Sequence, residues 1–576
     1  MLPLSRTMSA RLPRTVFALA ALLCAAPCPA AIDLDLSYVD QQSEQFQRFK
    51  AWVDEAVGGN PDYGFSATDA AYMYRLTGQS QYATLAVQMV DAQVSDAEAA
   101  IAASDAPEVA GDSYLQVGGM ISDLALTYDW CATAITPQQR TRWAAYAEQA
   151  VWNVWHPDDA QWGGHPFPWS GWSVDNPANN YYYSFVEATM YWGLAENSDT
   201  WLGLLENDKL PALQDYMATL TGGGSQEGTG YGLSHRTLFA LYRLWRDATG
   251  EDLANANAHL TDSIAWWIHA TVPTLDRVAP IGDQSRVSEP VIYDYHRDLV
   301  LEARKMTLDP TAQSNASWWL HSISEQEMQS GFNFREDMLP AGDGGVPPDA
   351  LIYHATGTGQ LFARTGWDSG AMWLQFSAGP YVESHAHQDQ GSFTLYQDTW
   401  LAVTENIWTH SGIQQGTDTN NLVRFEHSGS IVPQRAGTTS TMTVTQGDGG
   451  SVHAVADLTP AYDGDPAVQS WQRTIDFAGR TLTISDTFAL GSGTQGIFQL
   501  DVPVQPTISG NTATAGALKI RVISPANATL SALDWTTLSD PDETYNSGWR
   551  IDISGGTTGY VVELSAGDGI FADGFE

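Results

Sequence analysis

The chain has 576 residues, 43% of them hydrophobic, and its 67 acidic against 26 basic side chains give a net charge of −41. That length exceeds one ordinary hydrophobic core and implies several domains. The charge argues against nucleic acid and against an anionic membrane surface as partners, although a polyanion remains possible in a cleft that gathers the scarce Arg, Lys and His.

Residues 1–30 read as an export signal. Arg6, Arg11 and Arg14 form its basic start, residues 16–23 its apolar run, and Cys28-Pro29-Ala30 its small-residue cleavage site. The apolar run is too short to span a bilayer, and no later stretch reaches about twenty apolar residues. A periplasmic or secreted protein without a membrane partner is expected. Once the signal is removed, Cys131 remains as a core residue in a helical, apolar stretch rather than a reactive thiol.

From residue 43 to 325, apolar residues recur with the period of a helix. The spacing predicts helices over 46–53, 67–76, 82–94, 115–131, 138–155, 185–195, 234–248, 253–270 and 293–306. Such a series without strands suggests a bundle or a toroid of helical hairpins over 31–335. Two glycine-rich loops interrupt it, one from Trp162 to Trp172 and on to Asn179 and Asn180, the other from Gly222 to Tyr231. Loops of this kind on a helical scaffold are where function concentrates.

Between 330 and 350 the pattern changes to period two. Strands are predicted over 371–376, 392–396, 439–446, 469–477 and 481–488, which implies an antiparallel β-sandwich over 336–567. The fold class is therefore multidomain α+β, an N-terminal (α/α) toroid followed by the sandwich. Residues 568–576 form an acidic, glycine-rich tail. It resembles tails ending in Gly-Phe-Glu on exported bacterial proteins, and a frayed terminus is the alternative. Nothing in the sequence sets an oligomeric state.

Within the β half, the stretch from Ser384 to Phe393 carries His385, His387 and Asp389 at alternate positions. If it is extended, all three project from one face.

This combination resembles the heparinase II/III-like polysaccharide lyases, a group that includes alginate lyases. His385-Ala386-His387-Gln388-Asp389-Gln390-Gly391-Ser392-Phe393, Asn179-Asn180, Gln226-Glu227-Gly228 with Tyr231, and Arg364-Thr365-Gly366-Trp367 carry the resemblance. It implies β-elimination on a uronate polysaccharide, with Tyr231, Asn180 and His385 as catalytic residues. A phenol needs a basic neighbour to lower its pKa before it acts as base, and His235, Arg236 and His385 are the candidates. Asn180, with Asn179 or Gln226, would neutralise the substrate carboxylate, while the alternative for the Asn pair is a helix cap. Glu227 would orient the loop. His165 and Trp169 would line the cleft or pack an Ω-like loop, and Arg286 would meet the substrate's acidic groups.

The resemblance also implies one structural Zn2+ held by His387, Glu405 and the residue at Asn420, where the family has His. A second departure is Tyr181, which stands where members often have a histidine base. One tyrosine acting as base and then acid, a syn elimination favouring glucuronate or mannuronate, is the simpler mechanism. Two other classes stay open. One is an inverting glycoside hydrolase using Glu227 with Asp175 or Asp283; the other is a non-catalytic polysaccharide-binding protein.

Overall fold

A computed structural model of the protein describes residues 32–284, 288–324, 334–539 and 542–567. The export signal, the acidic tail and Arg286 lie outside the described residues.

The N-terminal half is a toroid of helical hairpins. Helices Ala67–Thr77, Val117–Trp130, Asn180–Glu196, His235–Thr249 and Asp294–Met306 pack one on the next in chain order, and others, such as Ser80–Ala102 and Pro137–Trp155, lie outside them. Local chemistry fixes several starts. Thr136 and Gln139 form a capping box with Pro137 in the first turn, and Ser66 forms another with Asp69. No described helix is long and apolar enough to cross a membrane.

One expected helix, 253–270, is divided into a short turn Leu253–Asn255 and the helix His259–Ala270. Asparagine chemistry causes the break. The Asn257 side-chain oxygen accepts from the His259 N–H, and Asn255 donates to Asp252 and to the Met306 carbonyl.

Among the described residues, the C-terminal half holds three large antiparallel sheets. An eight-stranded sheet runs from Thr441–Gln446 through Val468–Ala478 and Thr481–Leu490 to Gly559–Ala566 and beyond. A five-stranded sheet has Thr494–Val502 at its centre. The other five-stranded sheet joins the halves, with strands Ile352–Ala355, Gln360–Arg364, Trp373–Ser377, Phe393–Gln397 and Thr399–Ala402. Alternation across this sheet serves both sides. Phe362, Trp373 and Tyr396 enter the core of the toroid, whereas Leu361, Leu374 and Leu395 enter the core of the sandwich.

Arg364, at the end of its strand, reaches back into the toroid. Its Nη2 donates to the carbonyls of His269 (3.0 Å) and Thr271 (2.7 Å), where helix His259–Ala270 ends. The guanidinium also lies 3.9 Å from the ring centre of Trp367. A cation at a helix C-terminus satisfies orphan carbonyls and the dipole together.

Candidate active site at the junction of the halves

Three backbone segments meet where the toroid faces the sandwich: the loop before Tyr231, the segment 281–284, and the stretch at His385. The Thr229 N–H donates to the Ile281 carbonyl (2.8 Å) and the Asp283 N–H to the His385 carbonyl (2.9 Å). Glycine is required at the closest approaches. A Cβ on Gly230 would sit 1.7 Å from the Asp283 carbonyl oxygen, and one on Gly282 (φ +72°) 2.5 Å from that of Glu227.

Asp283 is the hub of this junction. Its carboxylate accepts from His385 Nδ1 (3.1 Å), His387 Nε2 (2.8 Å) and Gln415 Nε2 (3.1 Å). Burial pushes this carboxyl up, but the bonds from the two histidines outweigh it and leave the group below its ordinary value. The pairing also overturns the expected strand. Residues 383–391 form turns and bends, and His385 and His387 converge because both reach one carboxylate.

The His385 ring stacks on Tyr231, with centroids 3.7 Å apart and planes 2° from parallel. The Tyr231 phenol is raised, first by burial and then by the nearby carboxylates of Asp283, Glu227 and Asp112. The expected lowering by His235, Arg236 or His385 is therefore corrected. His235 is buried, and that burial holds its imidazole in the neutral form; its Nε2 lies 3.4 Å from the Tyr183 hydroxyl. Arg236 lines a cavity among the helices of the toroid, beside Glu187.

The asparagine pair divides its work. Asn179 caps helix Asn180–Glu196, its side-chain oxygen accepting from the Tyr181 N–H. Asn180 Oδ1 is buried and, among the described residues, has no hydrogen-bond partner. Glu227 is fully buried and accepts from the Asn180 N–H (3.2 Å) and from Asn179 Nδ2 (3.4 Å). Its Oε1 lies 4.0 Å from His385 Nε2, and burial pushes its carboxyl up to about 8. Gln226 bridges the halves, accepting from the Tyr216 hydroxyl and donating to the Gly357 carbonyl.

Trp169 packs between Tyr114 and Phe185 and donates its indole N–H to the Asn153 carbonyl, so it serves the loop's own packing. His165 is exposed on a two-residue strand of that loop. Tyr181, at the position of the family's histidine, donates its hydroxyl to Asp112 (3.0 Å), and burial together with that carboxylate pushes its phenol up to about 12.

Glu383 carried no sequence signal; it faces Asn176, whose Nδ2 lies 3.4 Å from each carboxylate oxygen. Asp283, which the sequence offered only as a candidate hydrolase carboxylate, joins residues more than a hundred positions away. Neither pairing leaves a local trace.

Two of the residues expected to hold zinc already have hydrogen-bond partners. His387 Nε2 is bonded to Asp283, and Asn420 Nδ2 donates to the Gly416 carbonyl (3.0 Å). The Glu405 oxygens have no hydrogen-bond partner among the described residues, and burial and Asp501 push this carboxyl up to about 11. Among the described residues no three His, Cys, Asp or Glu side chains group closely enough to hold a metal ion.

No protein-family model matches the chain, and no curated protein matches its sequence. Solved structures do match. Heparinase III is similar at 14% identity with a TM-score of 0.58, over 87% of this chain and 76% of that one. A mutant of heparan sulfate lyase HepC from Pedobacter heparinus matches at 14% identity and a TM-score of 0.58, over 93% and 86%. Chondroitin AC lyase from Streptomyces coelicolor, solved with chondroitin sulphate, matches at 10% identity and a TM-score of 0.51, over 92% and 81%. With these polysaccharide lyases the chain shares one fold, a helical toroid followed by antiparallel sheets.

Proposed function

We propose that the protein is an exported polysaccharide lyase that cleaves a uronate polymer by β-elimination, with Tyr231 as base and then acid. The observation that carries this reading is the stack of Tyr231 on His385 beside Asn180, at the junction of the halves. The similarity of fold to lyases acting on heparan and chondroitin sulphates supports it.

Elimination needs the C5 proton removed, the resulting anion stabilised, and the O4 leaving group protonated. The Asn180 amide would meet the substrate carboxylate, and a neutral Glu227, which accepts from the Asn180 backbone N–H, adds no repelling charge. Ionised Tyr231 takes the C5 proton, the C4–O4 bond breaks as C4=C5 forms, and the same phenol returns its proton to O4. The Tyr181 hydroxyl donates to Asp112, which favours Tyr231 as the one proton carrier, acting on one face of the sugar. That is syn elimination, suited to glucuronate and mannuronate.

The test is to incubate the purified protein with polyglucuronate, polymannuronate, polyguluronate, heparan sulphate and chondroitin sulphate while following ultraviolet absorbance of the new double bond. Absorbance rising on glucuronate or mannuronate polymers is expected. Activity chiefly on polyguluronate would reject the syn assignment.

A hydrolase is the second reading, because Glu227 is raised to about 8 while Asp283 is lowered, the split that separates an acid from a base. Against it, Asp283 already accepts from three side chains, and Asp175 is exposed and paired with Lys209. New reducing ends without ultraviolet absorbance would select it.

A further inference from the structure

A fourth segment, residues 409–415, borders the junction and is bonded to two of the three described above. The Gln415 side-chain amide donates to Asp283 (3.1 Å) and to the Ser384 carbonyl (2.8 Å), and the Gln415 carbonyl accepts from the Gln388 N–H (2.9 Å). Three residues earlier, the Gly412 carbonyl accepts from the Gln284 N–H (2.9 Å). The place of this loop therefore sets where Asp283 and the two histidines bonded to it can lie.

Residues 410–415 belong to no helix or strand, so no regular ladder fixes them. Apolar burial does not hold the loop either, since Ile413 at its centre is 47% exposed. Its backbone groups must be held by polar partners. The Asn406 side chain is one, donating to the Gly412 carbonyl (2.9 Å) and accepting from the Gln414 N–H (2.7 Å).

Glu543, 133 positions beyond His410 in the chain, is the other. Its carboxylate accepts from the N–H groups of His410 (2.7 Å) and Ser411 (3.3 Å), from the Ser411 hydroxyl and from the Gln414 side-chain amide (3.2 Å). Burial pushes this carboxyl up, but the bonds from Ser411, Thr544 and His410 outweigh it and leave the group below its ordinary value. An ionised acceptor holds its donors roughly twice as strongly as a neutral one.

We propose that Glu543 is a positioning residue of the site. By fixing residues 410–414 it sets the place of Gln415, through Gln415 the place of Asp283 and His385, and through His385 the ring of Tyr231. Among the described residues it makes no hydrogen bond to Asp283, His385 or Tyr231, so it acts at one remove. The effect on turnover rests on the reading of Tyr231 given above; the hold on the histidines rests on the bonds themselves.

Steady-state kinetics on the uronate polymers, together with NMR of the His385 and His387 ring signals, tests this on the full chain. The variants are Glu543→Gln, which brings an amide against the loop's donors, Gln415→Met, and the two combined. Val562→Ala, at a buried residue of the eight-stranded sheet, is the control for lost stability. Glu543→Gln should lower kcat by ~10–10²-fold, keep KM within about threefold and shift both histidine signals. The double variant should be no slower than Gln415→Met alone, because the two residues act in series. Val562→Ala should leave kcat and both signals at wild-type values. Wild-type kcat or unshifted signals in Glu543→Gln, additive losses in the double variant, or the same losses in Val562→Ala would overturn the proposal. If Glu543→Gln does not fold, Ser411→Ala, which removes the hydroxyl bond alone, must shift the signals for the proposal to stand. A wild type that forms no double bonds rejects the lyase reading, and the histidine signals then decide the role of Glu543.

Discussion

His385 lies flat on Tyr231, ring centres 3.7 Å apart, although the two belong to opposite halves of the chain. The imidazole is in turn held through Nδ1 by Asp283. The orientation of the phenol thus depends on a carboxylate that touches neither the phenol nor its loop through a side-chain bond.

Replacing Tyr231 by Phe keeps the ring and its stack but removes the proton carrier. We expect kcat to fall by ~10²–10⁴-fold with near-ultraviolet circular dichroism unchanged. A variant with wild-type turnover would show that the proton travels elsewhere.

The raised phenol of Tyr231 sets the pH dependence of the reaction. The base is the ionised form, whose fraction grows as pH approaches the raised value from below. Activity should therefore climb as pH rises from 6 towards 8, above which ionisation of Glu227, pushed up to about 8, opposes the gain. A kcat/KM profile that is flat or falling between pH 6 and 7.5 would contradict this.

Asp283→Asn places an amide N–H₂ among three groups that donate to the carboxylate. By analogy with carboxylates that orient an imidazole, kcat should drop by roughly 10²–10⁴-fold, with a smaller change in KM. Stability should fall by about 1–3 kcal/mol as buried donors lose their acceptor. Steady-state kinetics and denaturant unfolding measure the two effects separately.

Arg473 and Asp486 form a fully buried, two-bonded pair, Nε to Oδ1 and Nη2 to Oδ2 at 2.9 Å each. Arg473 Nη1 also donates to the Gly391 carbonyl (2.6 Å), which anchors the far end of the His385 stretch. Arg473→Met strands Asp486 without a counter-charge and should cost about 3–5 kcal/mol, whereas pairing it with Asp486→Leu should recover much of that loss. Urea midpoints of the single and double variants would decide.

Several buried carboxyls are pushed up by burial: Glu227 and Asp501 to about 8, Glu187 and Asp69 to about 7. Between pH 4.5 and 8 the folded chain holds more protons at these sites than the unfolded chain does, so their contribution is full below about 4 and is lost as pH rises through 7 and 8. Asp283, lowered in the folded state, acts in the opposite sense, and its contribution is lost as pH falls below the ordinary 3.8. Thermal midpoints should be higher near pH 7 than near pH 8.5, an interval above the ordinary titration of the buried, neutral His235, His259 and His269. A midpoint that rises over that interval would contradict the assignment of these groups.

The helices were legible because one apolar stripe per helix repeats every three to four residues, and the toroid follows from their number and order. The break at 256–258 was not, because asparagines that bond their own backbone do not disturb the apolar spacing. Motifs drew attention to the residues around Tyr231, whereas their electrostatics were misjudged: the sequence shows His235 and Arg236 close by in number, but His235 lies against Tyr183 and Arg236 beside Glu187. The stretch at His385 misled in another way. Alternation looked like a strand, yet it arises from two histidines reaching for Asp283, a partner 102 residues away.

The reach of Arg364 into the end of helix His259–Ala270 has a consequence for how the protein is made. Synthesis delivers the helical half first, with that helix end still solvated and the aromatic positions of the joining sheet unfilled. Those carbonyls receive their guanidinium after the chain has passed residue 364. A ribosome releasing the first half alone would yield a ring that lacks its clasp, so the two halves mature as one unit, and a nick between residues 322 and 352 would leave two fragments that stay fastened together.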